Sequence, residues 1–166
     1  MSKEGELMKK ILGTVLVLLL FLLVGGCAPP PMPEVTPDRT FSTNFDTTWR
    51  AVVDALSDES YPIQAIEKES GVITTEFVIF TRGWLSAENQ IERVAVLPGV
   101  LLGTWSTGRY TLSVFVRSVE KETRVRIRAH IEGYEDNTTH RWHACQSKGI
   151  LEEELLNAIG DKLSEG

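Results

Sequence analysis

The chain has 166 residues, with 17 Lys and Arg against 23 Asp and Glu, a net charge of −6 and 42% hydrophobic residues. Such a balance offers nucleic acid or anionic headgroups no attraction through net charge. Two cysteines are too few for a disulfide framework, and the length suits one domain with a real core better than two.

Lys9 and Lys10 precede a short apolar run, Ile11–Val24, and Gly25-Gly26 lead directly into Cys27. A basic leading edge, a short apolar stretch and small residues at the cleavage point are the parts of an export signal. The run is shorter than the roughly 20 apolar residues of a spanning helix. Val24-Gly25-Gly26-Cys27 resembles the lipobox of bacterial lipoprotein precursors. That resemblance implies a diacylglyceryl thioether on Cys27, cleavage after Gly26, and a third acyl chain on the new amino terminus. The competing reading is an ordinary transmembrane anchor with an incidental cysteine. Lipid suffices physically, since each buried methylene contributes about 0.8 kcal/mol and two or three chains together hold firmly. Met8-Lys9-Lys10 is a more natural start for such a signal than Met1. Residues 1–26 are therefore expected to be a signal peptide, and 27–38 the lipidated cysteine and its tether. Cys145 is left without an intrachain partner.

Ala28–Asp38 holds five prolines, which fix φ and remove amide donors, so an extended spacer is expected. In Arg39–Phe45, Phe41, Thr43 and Phe45 alternate with polar residues, the period of a half-buried strand. Asp46 reads as the N-cap of a helix whose inner face is Trp49, Val52, Val53 and Leu56, ending at Tyr61-Pro62. Trp49 sits on that stripe and reads as a core anchor rather than a ligand platform.

Pro62–Glu67 and Gly71–Phe80 form the next strand pair across Lys68-Glu69-Ser70, with Gly71 expected at positive φ. Arg109–Val119 and Thr123–Glu132 form a second hairpin about Glu120-Lys121-Glu122. One face of the last strand carries Val125, Ile127, Ala129 and Ile131, and the other carries Arg124, Arg126, Arg128 and His130. Those arginines are a candidate basic face for a carboxylate, a phosphate or an acidic partner, and Arg117 is placed beside them. The preferred reading is plainer: a solvated outer face, with Glu76 among its neutralising neighbours.

Trp84–Gly108 is long and apolar for a connection, with a turn signal at Pro98-Gly99. It reads either as an extra hairpin, Gln90–Leu97 with Val100–Trp105, or as a hydrophobic flap. In the second case Trp84, Leu97, Val100, Leu101 and Trp105 are candidate partner-binding residues. His140, His143 and Cys145 invite a metal reading, but no strong motif has their spacing. Strand alternation would also turn His140 and His143 to opposite faces, so no metal or other cofactor is expected. Ser147 reads as the cap of a closing helix bearing Leu151, Leu155, Ala158, Ile159 and Lys162. No Gly-rich phosphate loop, HExxH or GxSxG is present, so an enzyme finds no support.

The order strand, helix, four strands, helix resembles a known family. It is carried by FSTNFDTTWRAVVDAL, YPIQAIEKESGVITTEF, RYTLSVFVRSVEKETRVRIRAHIE and SKGILEEELLNAI. Together with the lipobox, Phe45–Trp49 and Glu69–Ile73, these are similar to the C-subunit lipoproteins of the outer-membrane β-barrel assembly machine (the NlpB/DapX group). The resemblance spans Arg39–Lys162. Those lipoproteins have two helix-grip domains and a long N-terminal segment, whereas this chain offers one domain, 39–166, and a short spacer. The expected fold is α+β, a helix-grip-like antiparallel sheet of about five strands with two helices on one face. The expected role is a non-catalytic, protein-binding envelope lipoprotein linked to outer-membrane protein assembly and held by its lipid anchor. The alternative is a periplasmic carrier of lipid or another hydrophobic ligand. A pocket lined by Phe77, Trp105 and Tyr110 would favour the carrier. Ala28 carries no aspartate retention signal, which by the enteric rule implies the outer membrane, facing the periplasm. Nucleic acid is not an expected partner.

Overall fold

Two long strands dominate because both sequences alternate apolar and polar residues over most of their length. A computed structural model describes residues 36–81 and 90–165, all within one compact unit, Glu34–Gly166. In chain order the elements are β1 (Asp38–Phe41), α1 (Phe45–Asp58), β2 (Ile63–Glu67), β3 (Val72–Thr75) and β4 (Val78–Thr81). Then follow α2 (Gln90–Val94), β5 (Ala95–Val96), β6 (Trp105–Val119), β7 (Glu122–Glu135), β8 (Arg141–Ser147) and α3 (Ile150–Glu165). The fold is α+β, and every strand pairing among the described residues is antiparallel. Among the described residues the sheet has eight strands rather than about five, and there are three helices rather than two.

Of the three extra strands, β5 and β8 lie outside the five expected ones, and β4 comes from a break that alternation does not reveal. β6 pairs first with β4, through Thr107–Tyr110, and then with β3, through Ser113–Phe115. The single strand expected over Gly71–Phe80 is thus two, parted at Glu76-Phe77. On the other side, β7 pairs with β1 through Thr123–Arg126 and with β8 through Ile131–Glu135. Both changes of partner occur at one level, where Leu112 stands opposite Ala129. A central strand that loses its neighbour leaves a buried amide needing an acceptor. Thr75 Oγ1 accepts from Leu112 N at 2.9 Å, and Glu152 Oε1 accepts from Ala129 N at 3.2 Å. Glu152 is itself fully buried and takes a second hydrogen bond, 2.9 Å long, from Ser147 Oγ.

α1 and α3 pack against each other and against β6 and β7. Val52, Leu56, Leu112, Val114, Ile127, Leu156 and Ile159 meet there with no exposed surface. Each such side chain contributes about 1.5–3 kcal/mol on leaving water. Lys162 Nζ pairs with Asp58 at 2.7 Å between the two helices, and Arg39 ties β1 to Glu153 and Asn157 of α3. The α1 N-cap is Asn44, whose side chain accepts from Thr47 N, rather than Asp46, which lies in the first turn. Gly71 has φ +69, and a Cβ there would meet Val116 O at 2.1 Å, so the β2–β3 turn requires glycine.

The hairpin expected over 90–105 is not formed. Gln90–Val94 is a helix with Ile91 and Val94 buried, and β5 pairs with β8 instead. A separation of three puts Ile91 and Val94 on one side of a helix but on opposite faces of a strand, and both are needed in the core. The expected tether overlaps β1 by one residue, Asp38. No described helix is long and apolar enough to cross a membrane.

Candidate functional site

Alternation along β6 and β7 turns one face to the helices and leaves the other open. On the open face the cross-strand register sets Arg109 beside Glu132, Thr111 beside His130, Ser113 beside Arg128, Phe115 beside Arg126 and Arg117 beside Arg124. This face has two chemically different ends, separated by about 27 Å for eight residues of strand.

At the first end Arg109 is held on three sides. Its guanidinium lies 4.3 Å from the Phe77 ring centroid and 4.2 Å from that of Trp142, and its Nε donates to Glu132 Oε2 at 2.6 Å. Trp142 meets Tyr134 edge-on at 5.4 Å between centroids, and the Tyr134 hydroxyl donates to His140 O. Ile79, opposite Arg109 on β4, is 65% exposed. A guanidinium between two rings and a carboxylate is fixed without being buried, because Arg109 keeps 29% of its side chain exposed.

Close by, the turn joining β7 to β8 is organised by a buried carboxylate. Burial pushes Glu135 up, but backbone amides of Thr139, Thr104, Asn137 and Thr138 donate to it and hold it well below the usual carboxylate range. The same turn holds the preceding loop, since Asn137 Nδ2 and Thr138 Oγ1 donate to Leu102 O and Leu101 O. Leu101 and Leu102 are left 85% and 77% exposed.

At the second end Arg117, Arg124, Arg126 and Arg128, with Phe115 and Val119, line a groove of about 450 Å³. Asp38 Oδ2 is 3.7 Å from both Arg124 Nε and Arg126 Nη2. Glu122 accepts from Ser42 Oγ at 3.1 Å.

The basic face is therefore assembled as the strand pattern implies, and Arg117 is directly opposite Arg124. The apolar flap is not. Trp105 is 9% exposed, stacked over Gly133, where a Cβ would meet its ring at 2.9 Å, and edge-on to His143. Leu97 and Val100 pack partly buried against the core, so of the candidates only Leu101 is open to solvent, while Trp84 lies outside the described residues. Cys27 also lies outside them. His143 Nε2 is bonded to Thr139 Oγ1, His140 sits in a turn at φ 50°, and burial pushes the Cys145 thiol up to about 11. No group of His, Cys, Asp or Glu among the described residues is arranged to hold a metal ion. Phe77 faces solvent while Trp105 and Tyr110 face the core, so these three line no common pocket.

Sequence reasoning missed the Arg109 stack. Phe77, Arg109, Glu132 and Trp142 come from three strands and a strand break. Their one sequence signal is that Arg109, Glu132 and Trp142 fall at the outward-facing positions of their strands.

No protein-family model matches the chain, and no curated protein does. Among solved structures, Ara h 8.0201 is similar at 8% identity and a TM-score of 0.43, over 81% of this chain and 99% of that one. A TBP-like protein from Parabacteroides distasonis ATCC 8503 is similar at 12% identity and a TM-score of 0.42, over 84% and 98%. A DUF4468 family protein from Bacteroides ovatus ATCC 8483 is similar at 13% identity and a TM-score of 0.36, over 72% and 66%.

Proposed function

We propose that the chain is a bacterial envelope lipoprotein, anchored through acylated Cys27 to the outer membrane and facing the periplasm. There it acts without catalysis as a protein-binding adaptor in outer-membrane protein assembly, on a helix-grip-like scaffold. The anchor rests on the run Ile11–Val24 and on Gly25-Gly26-Cys27. The binding role rests on one observation, the rigid aromatic–arginine cluster at the first end of the open face. Trp, Tyr and Arg concentrate binding energy at protein interfaces, and a cluster already held in place loses little conformational freedom on docking. Exposed Leu101 and Leu102 add apolar area near the β7–β8 turn.

The test is a crosslinking pull-down of the full chain from its native envelope, beside a Trp142→Ala variant and a Leu101→Ser/Leu102→Ser variant. The reading expects barrel-assembly components with the wild-type chain and their loss with Trp142→Ala at unchanged expression. Co-purifying lipid without any protein partner would overturn it in favour of a carrier.

A further inference from the structure

The arginine groove at the second end is not used by that function. Arg117 and Arg124 are directly opposed in register, and like charges directly opposite each other weaken a sheet. Arg126 and Arg128 continue the row, with side chains about 7 Å apart along the strand. Asp38 Oδ2 is shared at 3.7 Å between Arg124 and Arg126, one carboxylate for two guanidiniums, and Glu122 accepts from Ser42. Arg117 has no ion-pair partner among the described residues. Arg117, Arg124 and Arg126 around a concave space of about 450 Å³ make a site for an anion with several acceptor oxygens.

We propose that this groove holds the phosphate of an anionic lipid headgroup, in the membrane to which the chain is tethered. The choice of lipid rests on the anchor reading above; the anion chemistry does not. Charge complementarity selects the phosphate, and Phe115 and Val119 give the groove an apolar wall for the glycerol and first methylenes. Chain length allows the contact. Asp38, whose carboxylate contacts Arg124 and Arg126 of the groove, is the first residue of β1, and it follows Cys27 by eleven residues. Fully extended, eleven residues reach at most about 40 Å, long enough for the groove to reach the lipid surface. Bound phosphate between Arg117 and Arg124 turns a repulsive pair into a shared contact.

The test uses the full chain purified in neutral detergent and four soluble probes: dihexanoyl phosphatidylglycerol, dihexanoyl phosphatidylcholine, glycerol phosphate and a Glu-rich peptide. Binding is followed by calorimetry and by phosphorus NMR. The phosphatidylglycerol probe is expected to bind at least tenfold more tightly than the other three. Arg117→Gln should weaken that binding at least fivefold while leaving the melting temperature equal or higher, and Arg124→Gln/Arg126→Gln should abolish it. Lower binding with a higher melting temperature cannot come from misfolding. Arg117→Lys, which keeps the charge but loses the fork, should fall between wild type and Arg117→Gln. Equal binding of phosphatidylcholine, or binding indifferent to the arginine variants, overturns the proposal. Tighter binding of glycerol phosphate or of the acidic peptide also overturns it, assigning the groove to a soluble anion or a protein segment. The intact mass of the same preparation reports separately on Cys27. An unacylated cysteine overturns the anchor reading without changing what the four probes say of the groove.

Discussion

Replacing Arg109 by alanine removes three contacts at once, and their sum can be worked from the geometry. Two ring faces at 4.3 and 4.2 Å each contribute about 0.5–1 kcal/mol for a partly exposed guanidinium. The 2.6 Å pair with Glu132, whose side chains are 29% and 19% exposed, adds about 1 kcal/mol after allowance for solvent screening. The expected loss is about 2–3 kcal/mol, or a fall in melting temperature of roughly 10 °C for a domain of this size. Thermal and urea unfolding followed by circular dichroism measure it, with Ile79→Ala as the control on the same face, expected within about 0.5 kcal/mol. A double-mutant cycle of Arg109→Ala with Trp142→Ala should give a coupling of about 0.5–1 kcal/mol. A loss no greater than the control, with zero coupling, would mean that the stack is not a fixed platform, and the binding argument built on it would fail.

Thr75→Val keeps the shape of the side chain but orphans the buried Leu112 amide; it should cost about 1–2 kcal/mol in urea unfolding. Glu135 has a folded pKa below its ordinary 4.5, so its contribution is complete above that value and is lost as pH falls toward the folded value. Urea midpoints should therefore decline below about pH 4.5, and Glu135→Gln should lower the midpoint at pH 7 while flattening that acid slope. The thiol of Cys145, pushed up to about 11, is ionised to only about one part in a thousand at pH 8. Its alkylation by iodoacetamide, read by peptide mass spectrometry, should be about a hundredfold slower in the native chain than in urea. Leu101→Ser/Leu102→Ser should leave the melting temperature within about 2 °C, since both side chains are solvent-exposed.

The β6–β7 hairpin, both long helices and much of their buried faces were legible because period-two and period-3.6 patterns run through most of their length. Strand number was not. Whether Gly71–Phe80 forms one strand or two depends on the waist at Leu112 and Ala129, and the acceptors that make the breaks tolerable, Thr75 and Glu152, act across the fold. Gln90–Val94 defeated pattern reading because five residues fit either period, and burial of Ile91 with Val94 decides it. Trp105 looked like part of an exposed flap because aromatic residues in a long connection carry no sign of where they point. Its place was made by Gly133 on the next strand. The basic face followed from alternation alone, whereas the Arg109 stack needed three strands brought together.

The most direct measurement is site-specific photocrosslinking in the native envelope from two positions of the full chain: Ile79 on the open face and Asp54 on the exposed side of α1. The account predicts that a protein of the barrel-assembly machinery crosslinks from Ile79, that the adduct is lost with Arg109→Ala, and that Asp54 yields none. Adducts from Asp54 alone, or lipid adducts alone from Ile79, would contradict it.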